Sequence, residues 1–255
     1  MAGKFYGLGV GPGDPDLITV KALRILREAD VLCVPRSSAD KESLALQVVQ
    51  GVIEKEFEFL DLSFPMSRDR SVLEESWAAA GEAVAKKILQ GRGVAFVTIG
   101  DPMFYSTYGY LLDYVRKSYP EIETETVPGV MAMSACASLA GIPLTEGDES
   151  LVVLPAAYGL EELEEALIKF DNVVLMKVNR KMEEVRGLLE RLGMQGKALY
   201  FSRCGYRDQY VTGNLDSLEG RKLDYMSLLI IKKRPDGRLG IQNPEARIQN
   251  GDRQP

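Results

Sequence analysis

The sequence predicts an α/β protein built from two α/β domains with a ligand cleft between them. Strand-like and helix-like segments alternate from residue 4 to residue 232, an order that is typical of sheets covered by helices. Within the first half, the apolar run 94–99 leads directly into Gly100-Asp101-Pro102. This pattern is typical of a buried parallel strand that ends in a tight loop, where small ligands bind in open α/β sheets.

Pro128-Gly129 interrupts the alternation, so we expect the domain boundary there. The N-terminal domain then comprises residues 1–127 and the C-terminal domain residues 128–240. Residues 241–255 are polar and lack periodicity, and we expect them to form a mobile tail. The chain has 255 residues, enough for each domain to bury its own core.

Five segments of the first half predict strands because they are short and lie between helix-like segments, and most of them are rich in apolar residues. They are residues 4–10, 31–35, 57–62, 94–99 and 123–127. Helical spacing of apolar residues predicts the helices between them, at 17–28, 43–51, 72–90 and 107–118. Asp16 is the expected N-cap of the first helix, and Gly91 is expected to end the third.

The second half continues the same alternation. Residues 130–140 predict a helix of small side chains. Strands are expected at 151–154, 173–178, 198–202 and 226–232, with helices at 160–170 and 181–192. The sequence contains no internal repeat and no low-complexity tract.

Composition and charge exclude several classes of protein. Lys and Arg number 31 against 37 Asp and Glu, a net charge of −6, which argues against a protein-wide nucleic-acid surface. Cys33, Cys136 and Cys204 form no CxxC pair and are expected to be reduced, buried thiols. The N-terminus lacks a secretory apolar core, and no apolar stretch is long enough to cross a bilayer. We therefore expect a cytoplasmic protein with no membrane segment.

The sequence contains no histidine. This absence removes Ser-His-Asp and Cys-His catalysis and most catalytic zinc sites, and we predict no metal site. Proton transfer must then use a carboxylate, a tyrosine, a lysine or water. A reaction that needs little acid–base help is therefore favoured.

The glycine-rich segment 7–13 follows the first strand but does not fit a dinucleotide-binding motif. GxGxxG would need glycine at position 12 or 14, where Pro12 and Asp14 stand. Pro12 lacks the amide that binds phosphate, and Asp14 and Asp16 would repel one. No P-loop motif occurs either. The loop is better suited to close approach of another backbone segment or of an uncharged part of a ligand.

Three segments together carry a resemblance to a known family. They are Gly9-Val10-Gly11-Pro12-Gly13-Asp14, Gly100-Asp101-Pro102, and Val127-Pro128-Gly129-Val130 with its continuation to residue 145. In this order and spacing, the chain resembles the tetrapyrrole methylases over about residues 4–232. The resemblance implies a methyltransferase that uses S-adenosylmethionine, holds this donor between two α/β domains and forms a homodimer.

Two segments are similar to one branch of this family, the enzymes that methylate carbon 20 of precorrin-2 or its cobalt complex in vitamin B12 synthesis. Val34-Pro35-Arg36-Ser37-Ser38 stands where the sirohaem-type uroporphyrinogen methylases tend to have an Asp-containing segment. The run from Tyr105 to Leu111 replaces their Phe-Gly-Arg. The resemblance therefore implies a tetrapyrrole substrate, with or without cobalt.

The family's donor-binding positions are carried over one by one, mostly as main-chain contacts. They are Pro12, Gly100, Asp101, Met103, Tyr105, Ser106, Met131, Ala132, Met176 and Gly205. The carboxylate of Asp101 is expected to bind the ribose hydroxyls or the ammonium group of the donor, or else to cap the following turn. If a proton leaves after transfer, Asp101, Tyr105, Tyr108 and water all stay open as its acceptor.

The tetrapyrrole carries many carboxylates, which arginine and lysine bind well. The candidates are the basic residues that come just after predicted strand ends: Arg36, Lys41, Lys177, Arg203 and Arg207. A solvated surface charge is the alternative for each of them.

Three alternative functions stay open from the sequence. Another methylase of the same fold would act on RNA, a modified protein, uroporphyrinogen III or a different corrin carbon. A nicotinamide-dependent oxidoreductase is disfavoured by the glycine spacing described above. A non-catalytic module would bind a tetrapyrrole or a nucleotide without turnover.

Overall fold

The structure is a computed structural model that describes residues 3–36, 43–65, 67, 69–155 and 159–233. These residues form two compact units, one ending at Met131 and one beginning at Ala132, and each unit has its own sheet. The predicted α/β class is confirmed. The domain boundary after residue 127 and the cleft stay predictions, and the predicted tail lies outside the described residues.

The N-terminal unit contains a five-stranded parallel sheet. Its strands are β1 (Phe5–Gly9), β2 (Val31–Arg36), β3 (Glu58–Ser63), β4 (Val94–Thr98) and β5 (Thr124–Val127). They are ordered β3-β2-β4-β1-β5, and every neighbouring pair is parallel. The carboxyl ends of all five strands therefore lie along one edge of the sheet, with the ends of β1, β4 and β5 side by side.

Four helices belong to this unit, and they are α1 (Val20–Glu28), α2 (Leu44–Gln50), α3 (Arg70–Leu89) and α4 (Tyr108–Ser118). Two apolar cores cover the two faces of the sheet. On β4, Phe96 belongs to one core and Val97 to the other, because successive side chains of a strand point to opposite faces. Both are fully buried, which explains the continuous apolar run in the sequence.

The start of the first helix differs from the prediction. Helix α1 begins at Val20, and Thr19 is its N-cap, with Oγ1 accepting a hydrogen bond from the N–H of Ala22 at 3.2 Å. Asp14 caps a separate 3₁₀ turn, Pro15–Leu17, so Asp16 lies inside that turn and is not the N-cap of α1. Proline favours the first position of a helical turn, which explains why a separate turn starts at residue 15.

The longest helix of this unit, α3, ends where the sequence predicts. Gly91 follows its C-cap residue and has a φ of 82°, so the predicted helix end is confirmed.

The C-terminal unit contains a mixed sheet. Its helices are α5 (Ala132–Ala140), α6 (Leu160–Lys169) and α7 (Met182–Arg191), and its strands are β6 (Leu151–Pro155), β7 (Asn172–Met176), β8 (Ala198–Ser202), β9 (Tyr210–Thr212) and β10 (Ser227–Lys232). The order is β6-β7-β10-β8-β9. Strands β6 and β7 are parallel, and the other neighbouring pairs are antiparallel. The last strand, β10, is buried along its whole length and lies at the centre of the sheet.

Two features of this sheet were missed in the sequence. Strand β9 has only three residues, too few for a pattern of alternation. The strand predicted at 173–178 ends at Met176, because Lys177 adopts a left-handed conformation and a 3₁₀ turn begins at Val178. Among the helices of the described part of the chain, none combines the length and the apolar character needed to cross a membrane.

Candidate functional site

The carboxyl ends of β1, β4 and β5 bring three glycines into contact. A Cβ atom on Gly129 would lie 2.1 Å from the carbonyl oxygen of Gly100 and 2.8 Å from the Cα of Gly9. A Cβ atom on Gly9 would lie 2.5 Å from the same carbonyl oxygen. Real Cβ atoms essentially never come within 3.0 Å of another heavy atom, so a larger residue at position 9 or 129 would force the three segments apart. The three segments that carry the family resemblance therefore meet at one point.

Backbone hydrogen bonds join the loops that follow β1 and β4. The N–H of Gly100 donates to the carbonyl of Gly11 at 2.7 Å, and the N–H of Val10 donates to the carbonyl of Thr98 at 3.0 Å. Gly100 has a φ of 72°, and no atom lies within 4 Å of the place where its Cβ would be. The main chain of Gly100 therefore faces open space, so a ligand can approach the backbone there.

Asp101 ties two of these loops together through both of its carboxylate oxygens. Its Oδ1 accepts a hydrogen bond from the N–H of Met103 at 2.8 Å. Its Oδ2 accepts one from the N–H of Gly129 at 3.0 Å. An ionised carboxylate has about four acceptor positions, so two remain for a hydroxyl or ammonium group of a ligand. The capping role and the ligand role of Asp101 are therefore compatible.

The segment between Asp101 and α4 directs two of the predicted contact residues outward. Met103 is 63% exposed and Tyr105 is 49% exposed. Ser106 turns back toward the sheet, because its Oγ donates to Oγ1 of Thr98 at 3.2 Å and accepts from the N–H of Tyr108 at 3.2 Å. Tyr105 has a φ of 50°, which is a strained conformation for an aromatic residue.

Tyr108 lies in the core of the N-terminal unit. Its side chain is fully buried, and its ring fills the space next to Gly7, where a Cβ atom would lie 2.0 Å from the ring. Its hydroxyl shares a hydrogen bond with Oγ1 of Thr126 at 2.9 Å, and burial raises its pKa. This position argues against the predicted role of Tyr108 as a proton acceptor and assigns it a packing role.

In the C-terminal unit, β7 and β8 end on either side of the start of β10. The N–H of Lys177, directly after β7, donates to the carbonyl of Ser227 at 2.8 Å. The N–H of Arg203, directly after β8, donates to the carbonyl of Met226 at 2.8 Å. The structure therefore places these two predicted basic residues at the same edge of the sheet.

Lys177 and Arg203 also have left-handed backbone conformations, with φ of 60° and 50°. Together with Tyr105 they are the only residues of the described chain, apart from glycines, that have a positive φ. The sequence predicts all three as site residues. Strained backbone clusters at binding and catalytic sites, so this coincidence supports the choice of these three residues.

Arg203 is held by two acidic residues that the sequence analysis did not identify. Its Nε lies 2.7 Å and 2.8 Å from the two carboxylate oxygens of Asp208, and its Nη1 lies 3.8 Å from Asp224. The guanidinium also stacks on Tyr206, 4.6 Å from the ring centroid. The bond from Asp208 raises the pKa of Arg203, and burial raises the pKa of Tyr206 to about 12. The run from Arg203 to Asp208 offered a signal, since two arginines and one aspartate stand there around Gly205, but only the structure of the loop shows which of them pair.

The other predicted site residues are distributed over both units. In the N-terminal unit, Pro12 is buried and Met131 is half-buried. Arg36 is the last residue of β2. The side chain of Arg36 and the whole of Lys41 lie outside the described part of the structure. In the C-terminal unit, Ala132 opens α5, Met176 ends β7, Gly205 donates its N–H to Oε1 of Gln209 at 3.1 Å, and Arg207 is exposed.

Comparisons with known proteins show which family the chain resembles. The family model of the Tetrapyrrole (Corrin/Porphyrin) Methylases matches residues 4–219. A precorrin-2 C(20)-methyltransferase of Sinorhizobium is 34% identical, over 91% of this chain and 98% of its own. A cobalt-precorrin-2 C(20)-methyltransferase of Salmonella typhimurium is 36% identical, over the same shares of the two chains. A protein of Methanocaldococcus jannaschii described as a probable cobalt-precorrin-2 C(20)-methyltransferase is 35% identical, over 90% of this chain and 96% of its own.

Solved structures share the fold. A cobalt precorrin-4 methyltransferase superimposes with a TM-score of 0.67 at 21% identity, over 90% of this chain and 94% of that one. A uroporphyrin-III C-methyltransferase from Thermus thermophilus, solved with S-adenyl homocysteine, has a TM-score of 0.65 at 23% identity, over 91% and 92% of the two chains. The motifs, their meeting point and the match over most of the chain lead to one conclusion: this chain belongs to the tetrapyrrole methylase family.

Proposed function

We propose that the protein transfers the methyl group of S-adenosylmethionine to carbon 20 of precorrin-2 or of its cobalt complex, a step of cobalamin synthesis. One observation carries this proposal: three relatives with 34–36% identity over 90–91% of this chain bear the name of that activity. Their names differ on whether the substrate contains cobalt. The choice between the two substrates is therefore left to the experiment.

The residues around Gly100 fit a methyl donor of this kind. S-adenosylmethionine offers ribose hydroxyls, an ammonium group and an adenine ring. The open space at Gly100 accommodates a ligand against the main chain, and the carboxylate of Asp101 keeps acceptor positions for hydroxyl or ammonium groups. The exposed ring of Tyr105 adds a surface for stacking.

The chain's own residues have a limited chemical task in this reaction. When bound, the donor supplies a methyl group that is already activated by a positively charged sulfur. The protein then has to align the two reactants and exclude water, which together supply a large part of the rate. A site without histidine is sufficient for this task. If a proton must leave the macrocycle, Tyr105, Asp101 and water are the acceptors that the structure leaves open.

The substrate's carboxylates are expected to bind near the cations at the edge of the C-terminal sheet. Lys177 and Arg203 lie on either side of the start of β10. Asp208 holds the guanidinium of Arg203 in one orientation, which lowers the entropy lost when a carboxylate binds its remaining N–H groups. Arg207 is exposed in the same loop.

The test is an anaerobic methyl-transfer assay with labelled S-adenosylmethionine. Precorrin-2 and cobalt-factor II are supplied in parallel, and the product is examined by mass spectrometry and by NMR for a methyl group on carbon 20. One added methyl group there is the expected result, and the faster substrate identifies the natural one. Donor binding without transfer to either substrate would overturn the substrate assignment. Transfer to uroporphyrinogen III would place the chain in another branch of the family.

A pair of tyrosine variants sharpens the assay. Tyr105→Phe removes a hydroxyl from the exposed loop, whereas Tyr108→Phe removes one that is buried against Thr126. We expect Tyr105→Phe to lower kcat if this hydroxyl takes the proton, and Tyr108→Phe to leave kcat unchanged. Equal rates for both variants and the natural chain would leave water or Asp101 as the acceptor.

We also propose that the protein works as a homodimer in the cytoplasm. The support is the family resemblance for the dimer and, for the compartment, the three widely spaced cysteines, a pattern that is typical of reduced thiols. Light scattering on the purified chain tests the dimer: a single species of the mass of one chain at assay concentration would contradict it.

A further inference from the structure

Tyr206 supports the guanidinium of Arg203 from one face, in the loop after β8. The guanidinium carbon lies over the ring of Tyr206, 4.6 Å from its centroid, a distance at which the face of an aromatic ring attracts a cation. The hydroxyl of the same tyrosine is buried and has no hydrogen-bond partner among the described residues. The contact with Arg203 is therefore made by the ring, and the hydroxyl adds no bond to it.

Hydrogen bonds within the loop hold this ring in place, because residues 203–209 fold back on themselves. The N–H of Tyr206 donates to the carbonyl of Arg203 at 3.0 Å, and the N–H of Gln209 donates to the carbonyl of Tyr206 at 3.1 Å. The side chain of Gln209 accepts from the N–H of Gly205 at 3.1 Å, and Gln209 is buried. The backbone on both sides of Tyr206 is therefore fixed by bonds inside the loop.

The contacts of Arg203 leave one edge of its guanidinium open. Nε donates to Asp208 at 2.8 Å. Nη1 lies 3.8 Å from Asp224, which is too long for a hydrogen bond, and Nη2 has no partner within the described part of the chain. The side chain keeps 25% of its surface exposed. The edge formed by Nη1 and Nη2 therefore remains for a ligand, and its two parallel N–H groups match the two oxygens of a carboxylate.

We propose that Tyr206 is a positioning residue that, together with Asp208, holds the Nη1–Nη2 edge of Arg203 ready for one carboxylate of the tetrapyrrole. This inference rests on the proposed function and adds to it a role for Tyr206 and a two-bond geometry for the contact. Asp208 fixes one edge of the guanidinium and Tyr206 covers one face, so its side-chain torsions are restricted before the substrate arrives. Part of the conformational entropy that a free arginine loses on binding is then already lost.

The first experiment measures the hold on Arg203 without any assay of function. In the isotopically labelled full-length protein, the Nε–H resonance of Arg203 is assigned by its loss in Arg203→Lys, and its exchange with solvent is measured by NMR. We expect Tyr206→Leu to speed this exchange about fivefold, because the ring no longer covers the guanidinium, and Tyr206→Phe to keep the natural rate. The same exchange rate in all three proteins would overturn the hold by the ring.

The second experiment measures the consequence for the substrate, in the anaerobic methyl-transfer assay. We expect Tyr206→Leu to raise KM for the tetrapyrrole about fivefold. Its kcat and its KM for S-adenosylmethionine should stay unchanged, because the reactants are still aligned once the carboxylate is bound. Tyr206→Phe should keep the natural KM. An unchanged tetrapyrrole KM in Tyr206→Leu would overturn the proposal, and so would a lower kcat or a higher KM for the donor, since these would show a general loss of loop structure.

Tyr210→Leu is the matched control for the loss of a tyrosine ring. The ring of Tyr210 faces another arginine of the same unit, Arg221, at 5.8 Å, and neither residue is a predicted site residue. We expect this variant to keep the natural KM for the tetrapyrrole. A rise in KM as large as that of Tyr206→Leu would contradict a specific role for Tyr206.

A double variant tests whether Tyr206 acts through Arg203. Arg203→Met should raise KM for the tetrapyrrole about tenfold by itself. Adding Tyr206→Leu should raise it no further, since the ring then has no guanidinium to hold. Additive effects would overturn the proposal. If the natural chain transfers no methyl group to either tetrapyrrole, the proposed function and the substrate half of this inference fail, while the NMR measurement still decides whether the ring of Tyr206 holds Arg203.

Discussion

Each unit has candidate site residues at one edge of its sheet, and the two edges are built in different ways. At the carboxyl edge of the N-terminal sheet, Gly9, Gly100 and Gly129 bring main chains into direct contact, and no side chain fits between them. At the edge of the C-terminal sheet, Lys177 and Arg203 carry long charged side chains on a left-handed backbone. The first arrangement depends on the absence of side chains, and the second keeps the side chain at the cost of backbone strain.

This difference explains why the residues at the edge of the N-terminal sheet were easier to identify from the sequence. A contact between main chains requires glycine, so it leaves a motif that can be seen in the sequence. A lysine or arginine with a left-handed backbone binds through its side chain. Residues of many types can be held in that conformation when surrounding contacts offset the strain energy, so it leaves no motif in the sequence. Gly9 and Gly129 are therefore expected to tolerate no Cβ atom, whereas replacement of Lys177 by glycine is expected to stabilise the C-terminal unit.

The largest effect is expected for Gly129→Ala. The added Cβ atom would lie 2.1 Å from a backbone oxygen, which cannot move aside as a flexible side chain can. We expect a loss of about 3 kcal/mol or more in the free energy of unfolding, measured by urea denaturation. The control is Gly109→Ala in α4, where no atom lies within 4 Å of the new Cβ and a gain of about 0.5–1 kcal/mol is expected. Equal stability of the two variants would contradict the three-glycine contact.

Asp101→Asn tests whether the N-terminal loops depend on the carboxylate. The amide can accept only through one oxygen, so its NH₂ group would face the N–H of Met103 or of Gly129. We expect a loss of about 1–3 kcal/mol in the free energy of unfolding and weaker binding of S-adenosylhomocysteine by calorimetry. Asp113→Asn is the control, because Asp113 is exposed on α4 and bonds only to Lys117 in the next turn. A loss no larger than that of the control would contradict the tie between the loops.

Acid should destabilise the N-terminal unit through Glu125. Hydrogen bonds from Lys21 and Lys4 lower the pKa of Glu125 from 4.5 to about 2, so its contribution is complete above pH 4.5 and is lost as the pH falls toward 2. We expect a loss of about 1–2 kcal/mol over this window, and a smaller loss in Glu125→Gln. Fluorescence of Trp77, the one tryptophan of the chain, follows the unfolding of this unit. The same acid slope in both proteins would refute the assignment to Glu125.

The smallest effect on stability is expected at Lys177, where two variants separate strain from charge. Lys177→Gly relieves the left-handed conformation and should raise the free energy of unfolding by about 0.5–1 kcal/mol. Lys177→Met keeps the strain and removes the charge, so its stability should stay unchanged. Both variants should raise KM for the tetrapyrrole, because both lack the cation. An unchanged KM in both would show that Lys177 does not bind the substrate.

Much of the fold could be predicted from local pattern. Strand β8 was predicted with its observed bounds, and the buried run of β4 was recognisable because both of its faces are covered. The N-cap of α1 was not, since Asp14, Asp16 and Thr19 are all good caps, and their choice depends on where the 3₁₀ turn at Pro15 ends. The three-residue strand β9 exists only because β8 offers it hydrogen bonds.

The sequence by itself determined the α/β class, the glycine motifs of the N-terminal unit and the resemblance to the tetrapyrrole methylases. These properties follow from local spacing and from residues that cannot be replaced where backbones touch. Only the tertiary structure decided that Tyr108 packs in the core and that Asp208 holds Arg203. Each of these depends on which distant segments the sheets bring together, and side-chain contacts across such distances leave no periodic pattern in a single chain.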